Sequence, residues 1–316
     1  MHIVISDDHQ DCIRSLACFE KLKAHTVEIF NDSVSDVNAL AQRYQNADAI
    51  VLIRERTAIT KELLDRLPNL KLISQTGKMA SHVDLQTCKD KGIVVMDGRG
   101  SGSATAELNM LLILASLRKL VEEVARLKGG QWQGYLGDQL AGKVLGVYGF
   151  GRIGKQVCHL GKAFGAKPLV WGRDSTLQKA AQEGFALASS KEDFFRTSDI
   201  VCLQLRLNDA TRHIVGPQDL AMMKPTSLLV NASRAELIAP GALEVGLKQG
   251  RPAYAAIDTY ESEPVLGADH PLLHLSNCLC TPHIGFVERD NYEAYFGIAF
   301  DNINSYLAGS PQNCVN

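Results

Sequence analysis

Short apolar runs alternate with amphipathic stretches along the whole chain. That alternation is the pattern of βαβ units, in which helices pack on a parallel sheet. In the first third, strands are predicted over 2–5, 27–30, 49–53, 70–75 and 93–95, enough for one α/β unit. The segment DGRGSGSA then places Gly98, Gly100 and Gly102 within five positions, which is too much glycine for a helix or strand to continue and marks a hinge between domains. One long helix is expected over 105–127, with Leu108, Leu111, Leu112, Ala115 and Leu120 on its buried side. A second alternating series starts at Lys143, and a last helical pattern covers 288–307 and either continues the second unit or returns to the first.

Composition narrows this picture only a little. At 316 residues, 46% apolar and 22% charged, the chain is large enough for a core and for two domains. A net charge of −2 gives no broad attraction to nucleic acid or to an anionic membrane surface, so neither is expected as a partner. The start MHIVISDDHQ lacks a basic segment followed by a long apolar one, and a cytoplasmic protein is expected. Eight scattered cysteines without a CxxC spacing predict reduced thiols and no metal site. Cys278 and Cys280 lie two apart in the strand-like run NCLCTPH, so their side chains should leave the same face.

The strongest local motif is KVLGVYGFGRIGKQVCHLGKAFGAKPLVWGRD: a strand, then Gly149, Gly151 and Gly154, then an amphipathic helix and a second strand. Gly149 suits a tight turn, Gly151 lets the backbone approach a pyrophosphate, and Gly154 allows the helix close to the sheet. The phosphates would then meet the free N–H groups of a helix N-terminus. An acidic residue at the end of the second strand would favour NAD by accepting from the ribose 2′-hydroxyl. Here Gly172 occupies that place and Arg173 follows, which removes a repulsive carboxylate and supplies a guanidinium, so NADP is preferred over NAD. Asp174 counts the other way, and Arg206 in LQLRLND is a second candidate for the adenosine end.

Three later segments carry reactive side chains, LLVNASRAELI, AAIDTYESEP and CTPHIG, each just after an apolar strand-like run. Ligands of open α/β sheets bind outside the carboxyl ends of the strands, so Arg234, Glu263 and His283 could converge on one crevice. With the glycine turn preceding an Arg, a Glu and a His in this order, the sequence resembles the D-isomer-specific 2-hydroxyacid dehydrogenases, including their glyoxylate/hydroxypyruvate reductases and phosphoglycerate dehydrogenases. The similarity covers nearly the full chain, from LISQTGKMASHVDL through TAELNMLLIL to TPHIG.

The resemblance implies two Rossmann-like lobes. A flavodoxin-like substrate domain would comprise 1–100 and 286–316, with a dinucleotide-binding domain, 101–285, inserted into it. It also implies a homodimer and a small 2-oxo or D-2-hydroxy acid as substrate. His283 would be the general acid on the 2-oxo oxygen, a task suited to imidazole near neutral pH. Glu263 would pair with it and favour its protonated form. Arg234 would hold the substrate carboxylate and polarise its carbonyl. Arg152, Ile153, Ala232, Asp258 and Gly285 are implied on the cofactor side, Asp258 near the nicotinamide carboxamide. Lys78, Met79 and Arg54 are implied on the substrate side.

Several positions depart from the family pattern. Ala235 replaces the glycine usual after the arginine, Ala239 replaces an acidic residue, and Met79 replaces the second glycine of the substrate loop, beside a bulky Lys78. Lys78 could add a cation beside the carboxylate or reach a second acidic group, and Arg54 something similar. Glyoxylate or hydroxypyruvate reduction is the preferred assignment. A corepressor-like NAD(H) sensor and a phosphite-type dehydrogenase are the alternatives; formate oxidation goes with glutamine where this chain has Glu263.

Overall fold

The computed structural model describes residues 1–100 and 102–316. The chain begins β1 (His2–Ile5), β2 (Thr26–Ile29), α1 (Val37–Tyr44), β3 (Ala49–Ile53), α2 (Lys61–Leu64), β4 (Leu72–Thr76), α3 (Leu85–Asp90) and β5 (Val94–Met96). It continues with α4 (Ser103–Leu117), α5 (Leu120–Lys128), β6 (Val144–Tyr148), α6 (Arg152–Ala163), β7 (Lys167–Trp171), α7 (Asp174–Gln182), β8 (Ala186–Leu187), α8 (Lys191–Thr197) and β9 (Ile200–Leu203). It ends with α9 (Pro217–Met222), β10 (Leu228–Asn231), α10 (Ala242–Lys248), β11 (Tyr254–Ile257), β12 (Cys278–Cys280) and α11 (Arg289–Leu307). Two compact units result, Met1–Ser101 with Val287–Asn316, and Gly102–Phe286. The expected boundary at 100/101 abuts Ser101, which lies outside the described residues.

The first unit holds a five-stranded parallel sheet in the order β2-β1-β3-β4-β5, the flavodoxin-like winding. Its central strands β3 and β4 are buried along their whole length, as parallel strands covered on both faces must be. One side packs Ile50, Leu52, Ile73 and Val95 on Leu40, Tyr44, Leu63 and Leu64. The other side receives α11, where the Ser74 hydroxyl donates to the Ala299 carbonyl at 2.9 Å and Asn302 donates to the Asp97 carbonyl at 3.1 Å. Glu288 caps α11 by accepting from the Asp290 and Asn291 N–H groups, which fixes where that helix starts. The fourth strand begins at Leu72 rather than at residue 70, because the Leu70 N–H closes a turn onto the Leu67 carbonyl after Pro68 and Asn69.

The second unit holds a seven-stranded parallel sheet in the order β12-β11-β10-β9-β6-β7-β8. Counted from β6, this is the doubly wound order 3-2-1-4-5-6 extended by one strand, and its direction of winding reverses between β6 and β9. α4 and α6 cover one face through Leu112, Ile113, Val157 and Cys158; Phe194, Leu220 and Leu243 of α8, α9 and α10 cover the other.

The single helix expected over 105–127 is two helices. Lys119 adopts φ +52°, in the left-handed region that ends a helix, so α4 stops and α5 starts in a new direction. Two of the five side chains expected inside are consequently exposed. Leu111 lies on the far side of a helix buried through Leu108, Asn109, Leu112 and Ile113, and Leu120 belongs to α5, no residue of which is buried. Among the described residues, no helix is long and apolar enough to cross a membrane.

Candidate active site

The glycine turn sits at the winding reversal of the second sheet. Gly149 follows β6 with φ +103°, and a Cβ there would stand 2.5 Å from the Gln204 carbonyl oxygen at the end of β9. A Cβ on Gly154 would meet the Gly149 carbonyl oxygen at 2.2 Å, so only glycine lets α6 close on its own turn. Gly151 is the opposite case: its Cβ would meet nothing within 4 Å, leaving open space over the backbone. The N-cap residue of α6 is Gly151, which has no side chain to cap it, and Arg152, Ile153 and Gly154 form the first turn, the end of a helix that supplies N–H donors. A cradle crowded from below and open above fits a dinucleotide diphosphate.

β7 delivers Gly172 and Arg173. A side chain at 172 would meet Thr176 Cγ2 at 2.8 Å, a steric reason for the missing carboxylate that the motif alone does not reveal. Arg173 stands at the N-cap of α7, its carbonyl accepting from the Thr176 and Leu177 N–H groups, while its guanidinium is exposed and, among the described residues, in no hydrogen bond or ion pair. Asp174 occupies the first turn of α7, and Arg206 is exposed in the loop after β9.

The strand ends β10, β11 and β12 bring the reactive side chains together. After β10, Asn231 donates to the Arg234 carbonyl at 2.8 Å and accepts from the Ser233 N–H at 3.1 Å, and the Ser233 hydroxyl donates to the Leu203 carbonyl. Ala232 is buried inside this knot, and Arg234 Nη1 donates to the Ser233 carbonyl at 2.7 Å. After β11, Asp258 is fully buried; it accepts from Thr281 Oγ1 at 2.6 Å and from the Ile284 and Gly285 N–H groups at 2.8 Å each. Burial pushes the Asp258 carboxyl up, against the pull of these donors. Asp258 thereby pins both sides of the segment that carries His283, whose own φ is +50°.

His283 Nδ1 and Glu263 Oε2 are 2.6 Å apart. The other Glu263 oxygen accepts from the Tyr260 N–H at 2.9 Å. Burial alone would raise this carboxyl, but the His283 hydrogen bond and charge, the Tyr260 N–H and the Arg234 charge outweigh it, and it lies below the usual glutamate value. A carboxylate on Nδ1 makes that atom the donor and leaves Nε2 as the ring nitrogen without a protein partner among the described residues. Tyr260 and Thr281 were not singled out from the sequence. The available signal was the three-residue step from Tyr260 to Glu263, the spacing at which a side-chain carboxylate reaches back to a backbone N–H.

In the first unit, the expected substrate residues also lie at strand ends. Arg54 follows β3 with φ +57°, its N–H donating to Thr76 Oγ1 at 3.0 Å and its guanidinium 5.7 Å from the Tyr295 ring centre. Lys78 Nζ donates to Asp97 Oδ1 at 2.7 Å, and the Met79 N–H donates to Asp97 Oδ2 at 3.1 Å. Asp97, absent from the expected set, therefore holds the turn at Lys78 and Met79, together with Gln75, whose side-chain amide donates to the Lys78 carbonyl at 2.8 Å. Among the described residues, no group of three or more potential metal ligands occurs.

Comparison with known proteins gives the family. Residues 110–285 match the NAD binding domain of the D-isomer specific 2-hydroxyacid dehydrogenases. A glyoxylate reductase of Aeropyrum pernix is 35% identical over 88% of this chain and 85% of its own length. A D-3-phosphoglycerate dehydrogenase of Methanocaldococcus jannaschii is 33% identical over 99% of this chain, which spans only 59% of that relative. The crystal structure of a phosphoglycerate oxidoreductase from Vibrio cholerae superposes with a TM-score of 0.95 at 48% identity, covering 98% of this chain and 99% of that one. The chain is a member of the D-isomer specific 2-hydroxyacid dehydrogenase family, whose enzymes depend on NAD(P).

Proposed function

We propose that the protein reduces a small 2-oxo acid, of the glyoxylate or hydroxypyruvate type, to the D-2-hydroxy acid, with NADPH preferred over NADH. The observation that carries this reading is the Glu263–His283 pair at 2.6 Å, which leaves Nε2 to a substrate. When bound, the reduced dinucleotide supplies the hydride to the carbonyl carbon. His283 Nε2 gives its proton to the carbonyl oxygen, while Glu263 holds the ring in one tautomer and balances the charge on it. Arg234 holds the substrate carboxylate, its backbone fixed by Asn231. Asp258, anchored by three donors, orients the cofactor's carboxamide end together with Ala232 and Gly285. The unpaired guanidinium of Arg173 beside Gly172 supports the NADP preference.

A second reading is a phosphorylated 2-hydroxy acid as substrate. Arg54 and Lys78 place two cations at neighbouring strand ends of the first unit, and proteins named for phosphoglycerate are among the relatives. The expectation of a homodimer is carried by an apolar surface on the second unit. Leu120, Val121, Val124 and Leu127 of α5 are exposed, as are Trp132, Tyr135 and Leu136 of the loop that Glu123 ties back to α5. A second copy would bury it.

The test is oxidation of NADPH and of NADH with glyoxylate, hydroxypyruvate and pyruvate, set beside reduction of NADP and NAD with 3-phosphoglycerate. The expected result is glyoxylate or hydroxypyruvate turnover that is faster with NADPH, a preference that Arg173→Ala lowers by about tenfold. Turnover only with 3-phosphoglycerate selects the second reading. Tight dinucleotide binding with no turnover of any acid selects a sensing protein.

A further inference from the structure

β12 is the edge strand of the second sheet and pairs only with β11. Cys278 and Cys280 both turn to its α10 face, while Leu279 between them packs on the opposite face. Their Sγ atoms are 3.6 Å apart, and both residues are partly exposed, unlike the buried Cys18, Cys88, Cys158 and Cys202. The next residue, Thr281, donates its N–H to the Ile257 carbonyl, its hydroxyl to Asp258, and accepts from the Tyr260 hydroxyl at 3.0 Å. His283 follows two residues later. A change in the length of β12 therefore arrives directly at the His283 segment.

We propose that Cys278 and Cys280 form a reversible dithiol–disulfide pair, a modification site for small hydroperoxides whose oxidation displaces His283. The two thiols share one hydrogen bond, which lowers the thiol that accepts it; with Cys280 as the acceptor it is the attacking sulfur, and the reverse order gives the same disulfide. The Cys280 thiolate attacks one peroxide oxygen, the O–O bond breaks, and the alkoxide or hydroxide leaves and takes up a proton, giving a sulfenic acid. Cys278 sulfur then attacks Cys280 sulfur, the S–O bond breaks, and water leaves with the Cys278 proton. Two thiols and one hydroperoxide become a disulfide, an alcohol or water, and one further water; the two sulfurs lose two electrons and the peroxide gains them.

Geometry predicts the consequence. The sulfurs must close from 3.6 Å to about 2.05 Å. Residues two apart in an extended strand are roughly 6.7 Å apart at Cα, well above the roughly 5.5–6 Å at which bridges are commonest, so forming the bond pulls β12 shorter. An edge strand held on one side can do so. The resulting bond is strained and easily reduced by thiols, which makes the modification reversible.

The full-length protein, fully reduced, is treated with hydrogen peroxide, alkylated and mapped by mass spectrometry while turnover is followed. Expected is one peptide carrying an internal Cys278–Cys280 disulfide, a fall in turnover of about ten- to a hundredfold in step with it, and recovery of both with dithiothreitol. Cys278→Ser keeps basal turnover and stops at a Cys280 sulfenic acid that dimedone traps. Both cysteines remaining alkylatable, or Cys280 passing to sulfinic acid in the unaltered protein, overturns the pair. A disulfide with unchanged turnover overturns the link to His283. The effect on turnover rests on the proposed role of His283, whereas the peptide map does not, so the two can fail separately.

Discussion

Two glycine-led turns follow parallel strands in this molecule, and they are held in different ways. In the Gly149–Gly154 turn of the second unit, the atoms that forbid a side chain are backbone carbonyl oxygens of Gln204 and Gly149, which cannot move without disturbing the sheet. In the Gly77–Met79 turn of the first unit, the nearest obstruction to a Cβ at Gly77 is Arg54 Nη1, and Asp97 holds the turn through Lys78 and the Met79 N–H. Apart from the Gly98 N–H, which donates to the Gly77 carbonyl at 2.9 Å, those restraints come from side chains. The Gly149–Gly154 turn is therefore fixed by the fold itself, whereas the Gly77–Met79 turn is set largely by a few replaceable side chains. Under the proposed function, the second unit would in this way keep a single cofactor while the first is tuned to different acids.

The comparison is broken most severely at Gly154. Gly154→Ala drives a Cβ against backbone, so dinucleotide binding, followed by nicotinamide fluorescence, should be lost and stability should fall by about 1–3 kcal/mol in urea denaturation. Retention of both would mean that the turn is softer than its contacts indicate. Gly151→Ala sharpens the point. With nothing within 4 Å it should leave stability within about 0.5 kcal/mol, yet weaken dinucleotide binding roughly tenfold by filling the open side of the cradle.

In the first unit, Asp97→Asn keeps the size of the side chain and one of its two accepting oxygens, and removes the charge that balances Lys78. Freed of that carboxylate, a half-exposed cation worth about 1 kcal/mol should lower KM for an anionic substrate by roughly fivefold, with dinucleotide affinity unchanged. A rise in KM would show that Asp97 acts only by shaping the turn.

The smallest expected effect is at Glu263. Its carboxyl is lowered in the folded protein from an ordinary value of 4.5, so between the two values the unfolded chain binds more protons. The stabilisation is complete above pH 4.5 and is lost as pH falls through the lower folded value. Glu263→Gln lacks this term, and its urea midpoint should fall less steeply with acid than that of the unaltered protein. Equal slopes would place the lowered carboxyl elsewhere.

The same contrast explains what could be read from the sequence. Strand positions, the Gly149–Gly154 turn and the order of Arg234, Glu263 and His283 were legible because short continuous apolar runs, glycine at a positive φ and strand-end chemistry each leave a local mark. The break at Lys119 was not, since a lysine in the left-handed region has no signature and apolar residues continue on both sides of it. Leu120 was assigned inward for that reason, whereas Leu111 lies within α4 on the face away from its buried side. Asp97 and Thr281 escaped because their partners, Lys78 and Asp258, are distant in sequence, and the steric closure of Gly172 by Thr176 needs the turn of α7 to appear.

The central claim is that His283, held by Glu263, protonates a 2-oxo oxygen as the dinucleotide delivers hydride. It is tested most directly by incubating glyoxylate with NADPH deuterated at the transferring C4 position and reading the product by mass spectrometry. The unaltered protein should place one deuterium on C2 of glycolate, and His283→Ala should bind NADPH normally yet form product slower by about 10²- to 10⁴-fold. Deuterated product formed at an undiminished rate by the His283→Ala protein would contradict the account.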